Sequence, residues 1–438
     1  MTQPTVTGQP QLDASATSAP LSSPTGPPSG KSILIFSDGT GQAGGLRPDQ
    51  RLSNVYKLYR AARSGPDSPI DPARQIAFYD SGLGTDADVG TIPLRLTRFI
   101  KKLASSATGA GISANVVDCY AAILKHYEPG DRIYLFGFSR GAYTVRCVAG
   151  VLQLCGVPTR VGVTHGCPES SRALRDLAEE AVLTVYEHGA GKPRTRYKAQ
   201  RLELARRFRA RHESDDGGQS NAAPYFIGVF DTVAALGAHG WARVVVTLTL
   251  LFLLTVAATG IAGIIGSATG AAYGSAFKIT CLAMVMLAGV RSFFRRLKII
   301  RDYPADPWWK RWHLAGWKLR FYDESLDRRV EYVRHALAID EVRQAFARVH
   351  WGDKHTVYDH FVQMWFAGNH SDIGGSYPED ESRLSDIALS WMVEEVAKIP
   401  HPIEIDRTKL YLYPSPAGVQ HCEVASLRDR FPRWARRL

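Results

Sequence analysis

An apolar strand that must become a helix within five residues is the tightest constraint in this chain. The turn signal Glu128-Pro129-Gly130-Asp131 opens a run from Arg132 to Phe136, which leads directly into Gly137-Phe138-Ser139-Arg140-Gly141 and then into a helical stretch from about Gly141 to Leu154. A G-x-S-x-G pattern alone says little, because small residues and serine are common. Between a strand and a helix it describes an elbow that forces the serine into a strained turn and exposes its oxygen. Gly137 and Gly141 are then required because side chains there would clash across the turn, and Ala142 keeps the helix close to the sheet.

Flanking segments extend this unit into a sheet. Ile33-Leu34-Ile35-Phe36 is a continuous apolar run closed by Ser37-Asp38-Gly39-Thr40, the pattern of a buried parallel strand ending in a tight loop. A second short strand is expected around Gln75 to Tyr79, a helix from about Ser113 to Tyr127, and a further strand from Tyr225 to Phe230 that ends at Asp231-Thr232. Alternating strands and helices predict an α/β fold, an α/β-hydrolase-like mostly parallel sheet with helices on both faces.

One segment departs from this pattern. Val244 to Gly266 holds 23 residues without a charge, enough to cross a hydrocarbon core as a helix, and a second apolar stretch from Ala271 to Val290 is interrupted only by Lys278. Arg291, Arg295, Arg296 and Lys298 follow at once. The expectation is a transmembrane helical hairpin over 239–300 with cytoplasmic basic flanks, inserted between the two parts of the α/β domain at 32–238 and 301–438. Residues 1–31, rich in Thr, Ser, Pro, Gln and Gly, are expected to form a disordered tail without a secretory signal.

The formal net charge of +11 favours anionic partners. Nucleic acid is not expected among them, because the basic residues are spread out and no recognised motif accompanies them. Gly26 to Ser32 imitates a phosphate loop, but it precedes a strand where a phosphate loop would open a helix. Arg194 to Arg211 packs eight cationic residues and is read as a solvated amphipathic helix, with Ser214 to Asn221 as a polar, mobile loop behind it. The six scattered cysteines, with no zinc-ligand spacing, are read as reduced core residues.

A serine hydroxyl needs a base to take its proton and an acid to orient that base. In chain order Ser, Asp, His, the sequence supplies Ser139, then Asp231 after a strand, then His370 in Trp365-Phe366-Ala367-Gly368-Asn369-His370-Ser371-Asp372-Ile373-Gly374-Gly375. His370 follows an apolar strand-like run and is expected on a loop at the carboxyl edge of the sheet, whereas His335, His350, His355 and His360 are read as lying in helical or charged stretches. Asp372 rivals Asp231 as the orienting acid, and Asp231 is preferred. An oxyanion would be held by the Arg140 N–H and by a donor in the Asp38-Gly39-Thr40 turn, where Asp38 holds the loop by accepting backbone hydrogen bonds. No metal or cofactor is called for.

At these residues the chain resembles the type VI secretion phospholipase effector-like α/β-hydrolase domain family, formerly a domain of unknown function. The matching segments are Ile35 to Thr40, Phe78 to Thr85, Tyr127 to Arg146, Gly228 to Gly237, Arg334 to Phe346, Trp365 to Tyr377 and the helix Ser385 to Val396. The resemblance implies a triad of Ser139, Asp231 and His370 with phospholipase activity; the expected partners are a phospholipid or other ester substrate and, from the apolar hairpin and its basic flanks, a membrane surface. Ser139 and Asp231 precede the apolar segment and His370 follows it, so the number of membrane crossings must be even. The expected location is the inner membrane with the catalytic domain facing the cytoplasm, a secreted effector being the alternative. The competing function is a catalytically silent, membrane-anchored scaffold with the same fold.

Overall fold

In a computed structural model the strand-to-helix unit and its neighbours assemble into one sheet. The structure describes residues 30–39, 42, 44–45, 51–82, 110–161, 164–165, 170–193, 195–233, 240–270, 272–316, 326–343, 351 and 360–422. The tail before Gly30, Thr40, Cys167, His350 and His355 lie outside the described residues.

Six strands, β1 (Ser32–Ser37), β2 (Gln75–Asp80), β3 (Arg132–Phe138), β4 (Pro224–Phe230), β5 (Tyr332–Ala338) and β6 (Phe361–Phe366), form a parallel sheet in the order β6-β5-β4-β3-β1-β2. The chain moves outward from β1 to β2 and then returns to place β3 on the other side of β1. The order therefore reverses between β1 and β3, and the crevice at their carboxyl ends is where open α/β sheets place ligands.

Alternation along the strands feeds two cores. Ile33 and Ile35 of β1 and Ile133 and Leu135 of β3 pack under α2 (Ala110–His126), α3 (Arg140–Cys155), α4 (Ser171–Glu179) and α5 (Lys198–His212). Leu34, Phe36, Tyr134 and Phe136 face the opposite way, toward α1 (Asn54–Ala62) and a long C-terminal helix (Arg383–Ala397) that supplies Ala388, Leu389, Met392 and Val396. Because both faces are covered, these strands carry continuous apolar runs.

The apolar insertion forms α6 (Gly240–Thr269) and α7 (Tyr273–Arg296), joined by a short turn at Gly270. At about 1.5 Å per residue each spans more than the roughly 30 Å of a bilayer core. Their outer faces are unburied, with Ile264 and Val285 each 70% exposed. Ala258, Ala262, Ala276 and Thr280 are the buried positions among the described residues, and this small-residue seam lets the two helices approach closely.

Several expectations are corrected. Ser214 to Asn221 is an ordered hairpin: Asp215–Asp216 pairs with Gln219–Ser220 around Gly217-Gly218, both at positive φ. α5 is not a uniformly solvated face, since Arg201 and Arg209 are buried, and Arg209 bridges Asp215, Leu154 O and Gly218 O. His335 lies fully buried inside strand β5, and His360 immediately precedes β6. Cys119, Cys147 and Cys155 are buried free thiols, but Cys422 is exposed.

Candidate active site

Ser139 sits between β3 and α3 with φ 58° and ψ −120°, a strained backbone for a residue with a side chain. Neighbouring strands hold it there: its N–H donates to Phe230 O at 3.1 Å and its carbonyl accepts from Val233 N at 3.3 Å. The flanking glycines are a steric necessity. A Cβ on Gly137 would lie 2.6 Å from Ala142 Cα, and one on Gly141 would lie 2.0 Å from Ser37 O. α3 therefore starts against the end of β1, directly over the switch point.

Asp231 follows β4, one strand away, and is also strained, with φ 34°. Its N–H donates to Ala336 O at 2.8 Å, and its Oδ1 accepts from Ala338 N at 3.1 Å, so β5 fixes the carboxylate. Its other oxygen, Oδ2, lies 2.5 Å from Nδ1 of His370. Both residues are buried, and the imidazole stacks on Phe138, the residue before Ser139, with ring centroids 4.6 Å apart. The serine, the acid and the histidine thus come together at the carboxyl ends of β3, β4 and β6.

His370 is not on a loop but opens a short helix, α8 (His370–Gly374), capped by Asn369. This placement separates the two acids. Asp372 Oδ2 accepts from Asn369 N and from His421 N, each at 3.0 Å, and its Oδ1 lies 2.7 Å from His421 Nδ1. Asp372 therefore fixes the helix that carries His370, while Asp231 meets the imidazole itself. Two partners escaped the sequence reading: Glu341, which accepts from the His370 N–H at 3.2 Å, and His421, which lies 49 residues beyond Asp372. Glu341 stands just past β5, a strand the sequence did not reveal, and nothing local signals His421.

Arg140 is the first residue of α3, which leaves its N–H without an intrahelical acceptor. Its guanidinium is half-buried, and burial lowers its pKa to about 10. The Gly39 N–H donates to Asp38 Oδ1 at 2.7 Å, so that amide is already engaged. Asp38 also accepts from Ser53 Oγ at 2.5 Å and from Tyr79 OH at 2.7 Å, which ties the loop to α1 and β2. Burial pushes the Asp38 carboxyl up to about 6 against these hydrogen bonds, and pushes the neighbouring Asp80 up to about 7.

The fold and site define a class: an open, parallel α/β protein with a strained serine in a G-x-S-x-G elbow at the switch point. Within that class the chain belongs to the type VI secretion system (T6SS) phospholipase effector Tle1-like catalytic-domain family, which it matches over residues 31–260 and 297–395. The unmatched stretch between them, 261–296, covers the end of α6, the turn and all of α7. The chain is also 30% identical over 215 residues to the uncharacterized protein YEL023C of Saccharomyces cerevisiae, an alignment covering 48% of this chain and 27% of that protein. It thus spans about a quarter of that relative's length. Among solved structures, it is similar to an uncharacterized protein from Pseudomonas aeruginosa (16% identity, TM-score 0.36, covering 91% of this chain and 50% of the other). It is likewise similar to the Tle1 effector bound to the VgrG spike of the type VI secretion system (17% identity, TM-score 0.31, covering 85% and 57%).

Proposed function

We propose that the protein is a membrane-attached serine hydrolase that cleaves carboxylic esters of phospholipids through an acyl-enzyme on Ser139. The observation that carries this reading is the strained Ser139 beside a buried Asp231–His370 pair 2.5 Å apart. In the proposed mechanism His370 Nε2 takes the Ser139 hydroxyl proton as Oγ bonds to the ester carbonyl carbon. Asp231 Oδ2, on Nδ1, holds the resulting imidazolium. The oxyanion is held by the N–H groups of Arg140 and Thr40. On collapse, the carbon–oxygen bond to the leaving alcohol breaks and His370 returns the proton to that alcohol. Water, deprotonated by the same imidazole, then releases the fatty acid and restores Ser139.

The exposed apolar faces of α6 and α7 support membrane attachment, since a soluble surface rarely leaves so large an apolar patch uncovered. Only nine positions separate Asp231 from the first residue of α6, a reach of at most about 30 Å, so the hairpin would hold the site beside the bilayer. Secretion as an effector is the second reading, favoured by the family to which the chain belongs.

The direct test is release of free fatty acid from mixed bacterial phospholipid vesicles by wild type and by Ser139→Ala, together with labelling by an alkyl fluorophosphonate. Release and labelling by wild type alone are expected. Labelling that persists in Ser139→Ala would remove Ser139 from the mechanism. A folded, vesicle-bound wild type that neither labels nor releases acid would favour the scaffold reading.

A further inference from the structure

The foot of the hairpin carries a feature that the catalytic reading does not use. α7 ends at Arg296 and runs without a break into strand Leu297–Ile299, which pairs antiparallel with Trp312–Leu314. The crossing between these strands presents Trp308, Trp309 and Trp312, of which Trp308 is 70% exposed. Three uncovered indoles at the end of an apolar hairpin match the composition of a membrane–water interface, where a ring is half in hydrocarbon and half in water. Between them and α7 lies an open cavity of about 560 Å³, lined by Phe293, Ile299, Trp308 and Trp312 on its apolar side and by Arg301 and Arg311 on its polar side. Asp302 is the one acid among its lining residues.

The charge around this cavity is unbalanced. Arg291, Arg295, Arg296, Arg301, Lys310 and Arg311 form no ion pair among the described residues. The unit is firmly docked on the catalytic domain. Lys298 Nζ donates to Leu183 O at 2.5 Å, the Gly316 N–H donates to Ala190 O at 3.0 Å, and the His313 ring stacks on Tyr197 at 3.7 Å. Arg311 Nε donates to Asp306 O at 2.8 Å, and no carboxylate pairs with Arg301 or Arg311 among the described residues. An apolar wall continuous with a membrane-length helix, beneath guanidinium groups without a carboxylate partner, is complementary to a lipid with a negative headgroup.

We propose that this cavity is a second, non-catalytic lipid site that seats the phosphodiester headgroup of an anionic phospholipid between Arg301 and Arg311, with its acyl chain along Phe293 on the outside of α7. The site rests on the hairpin entering a bilayer, but not on the catalytic assignment. It would make anionic lipid content set how the catalytic domain is held at the surface.

The test uses the full chain with Ser139→Ala, so that lipid is not consumed. The protein is floated with phosphatidylcholine vesicles containing a minor fraction of either dibrominated phosphatidylglycerol or dibrominated phosphatidylcholine. Tryptophan emission is compared with and without Trp308→Phe and Trp312→Phe, which isolates the signal of these two rings. That signal is expected to show about thirtyfold preference for the anionic quencher, the order given by two cationic groups at an anionic surface. Arg301→Gln with Arg311→Gln should equalise the two lipids, and the lysine pair at the same positions should keep most of the preference. Equal quenching of the wild-type rings by both lipids would overturn the site and leave a general interfacial collar. No quenching of a protein that floats would place the collar in water and overturn it as well. Displacement by an equal concentration of glycerophosphoglycerol would reassign the cavity to a soluble phosphodiester. Failure to float would sink the membrane reading and this site with it, leaving fluorophosphonate labelling of the Ser139 protein as the independent measure of the catalytic reading.

Discussion

The crevice around Ser139 and the α6–α7 hairpin follow opposite packing rules within one chain. In the crevice, polar groups are buried and bonded: Asp38 with three donors, Asp231 with a strand amide and an imidazole, Asp372 with two amides and a second imidazole. In the hairpin, apolar groups face outward and the buried positions are small, and from Gly240 to Arg296 there is no acidic residue. Water at a crevice group would compete with a bond the site needs, whereas water against the hairpin meets hydrocarbon with nothing to bond. On the proposed membrane reading the two regions are built for different solvents, the crevice for a closed protein interior and the hairpin for lipid.

The largest expected effect tests whether the crevice bonds are catalytic or merely structural. Asp231→Asn keeps the shape and the β5 contact but can no longer hold an imidazolium, so ester turnover should fall by about 10⁴-fold with folding retained. Asp372→Asn disturbs the Asn369 cap and His421 instead, and should act through stability, with a much smaller loss of turnover. Equal losses in the two variants would erase the distinction between an acid that meets the imidazole and one that fixes its helix.

Gly141→Ala probes the same crevice sterically. Its Cβ would sit 2.0 Å from backbone, where no side chain can swing away, so α3 must shift off β1. A destabilisation of about 3 kcal/mol or more is expected by chemical denaturation, in the range of severe overpacking. A near-neutral result would mean that the helix does not start against Ser37.

Much of this crevice was legible from local pattern. β1 and β3 announced themselves as uninterrupted apolar runs, and Ser139, Asp231 and His370 as polar residues just past strand ends. β5 did not, because Arg334 and His335 interrupt its apolar run, and only the packed structure shows them buried, with Arg334 held by Glu395. The engagement of the Gly39 amide, the Asp372–His421 pair and the burial of Arg201 and Arg209 were equally hidden. Each depends on a contact, and residue type alone does not reveal which partner the fold delivers. The hairpin was read from composition because a long uncharged helix needs no distant partner to be recognised.

The buried acids also separate the two regions by pH. Asp38 and Asp80 have folded values of about 6 and about 7, above the unfolded value of about 3.9. A raised carboxyl value means the folded state holds the proton more tightly. The stability these groups contribute is therefore present below about pH 4 and lost as pH rises through about 6 and 7. For Asp38 alone the loss is about 3 kcal/mol, at roughly 1.4 kcal/mol per pK unit. Urea midpoints measured from pH 4 to 8 should fall less steeply in Asp38→Asn than in wild type, and parallel curves would show that the carboxyl is ionised throughout. The hairpin, with no acid, should add nothing to this slope.

The smallest effect addresses the hairpin directly. Val285 is 70% exposed near the middle of α7, so replacing it with Lys removes no core packing. If α7 faces water, Val285→Lys should leave fractionation unchanged and improve solubility. If α7 crosses a bilayer, the ammonium must be drawn into hydrocarbon or reach for its edge, at about 2.5–3.5 kcal/mol for a lysine at the helix centre. The variant should then be partly extracted by alkaline carbonate while wild type stays with the membrane, and hydrolysis of a soluble short-chain ester should be equal in both because the crevice is untouched. A variant as membrane-bound as wild type would break the contrast between the two regions, because a face indifferent to charge is not a face turned toward lipid.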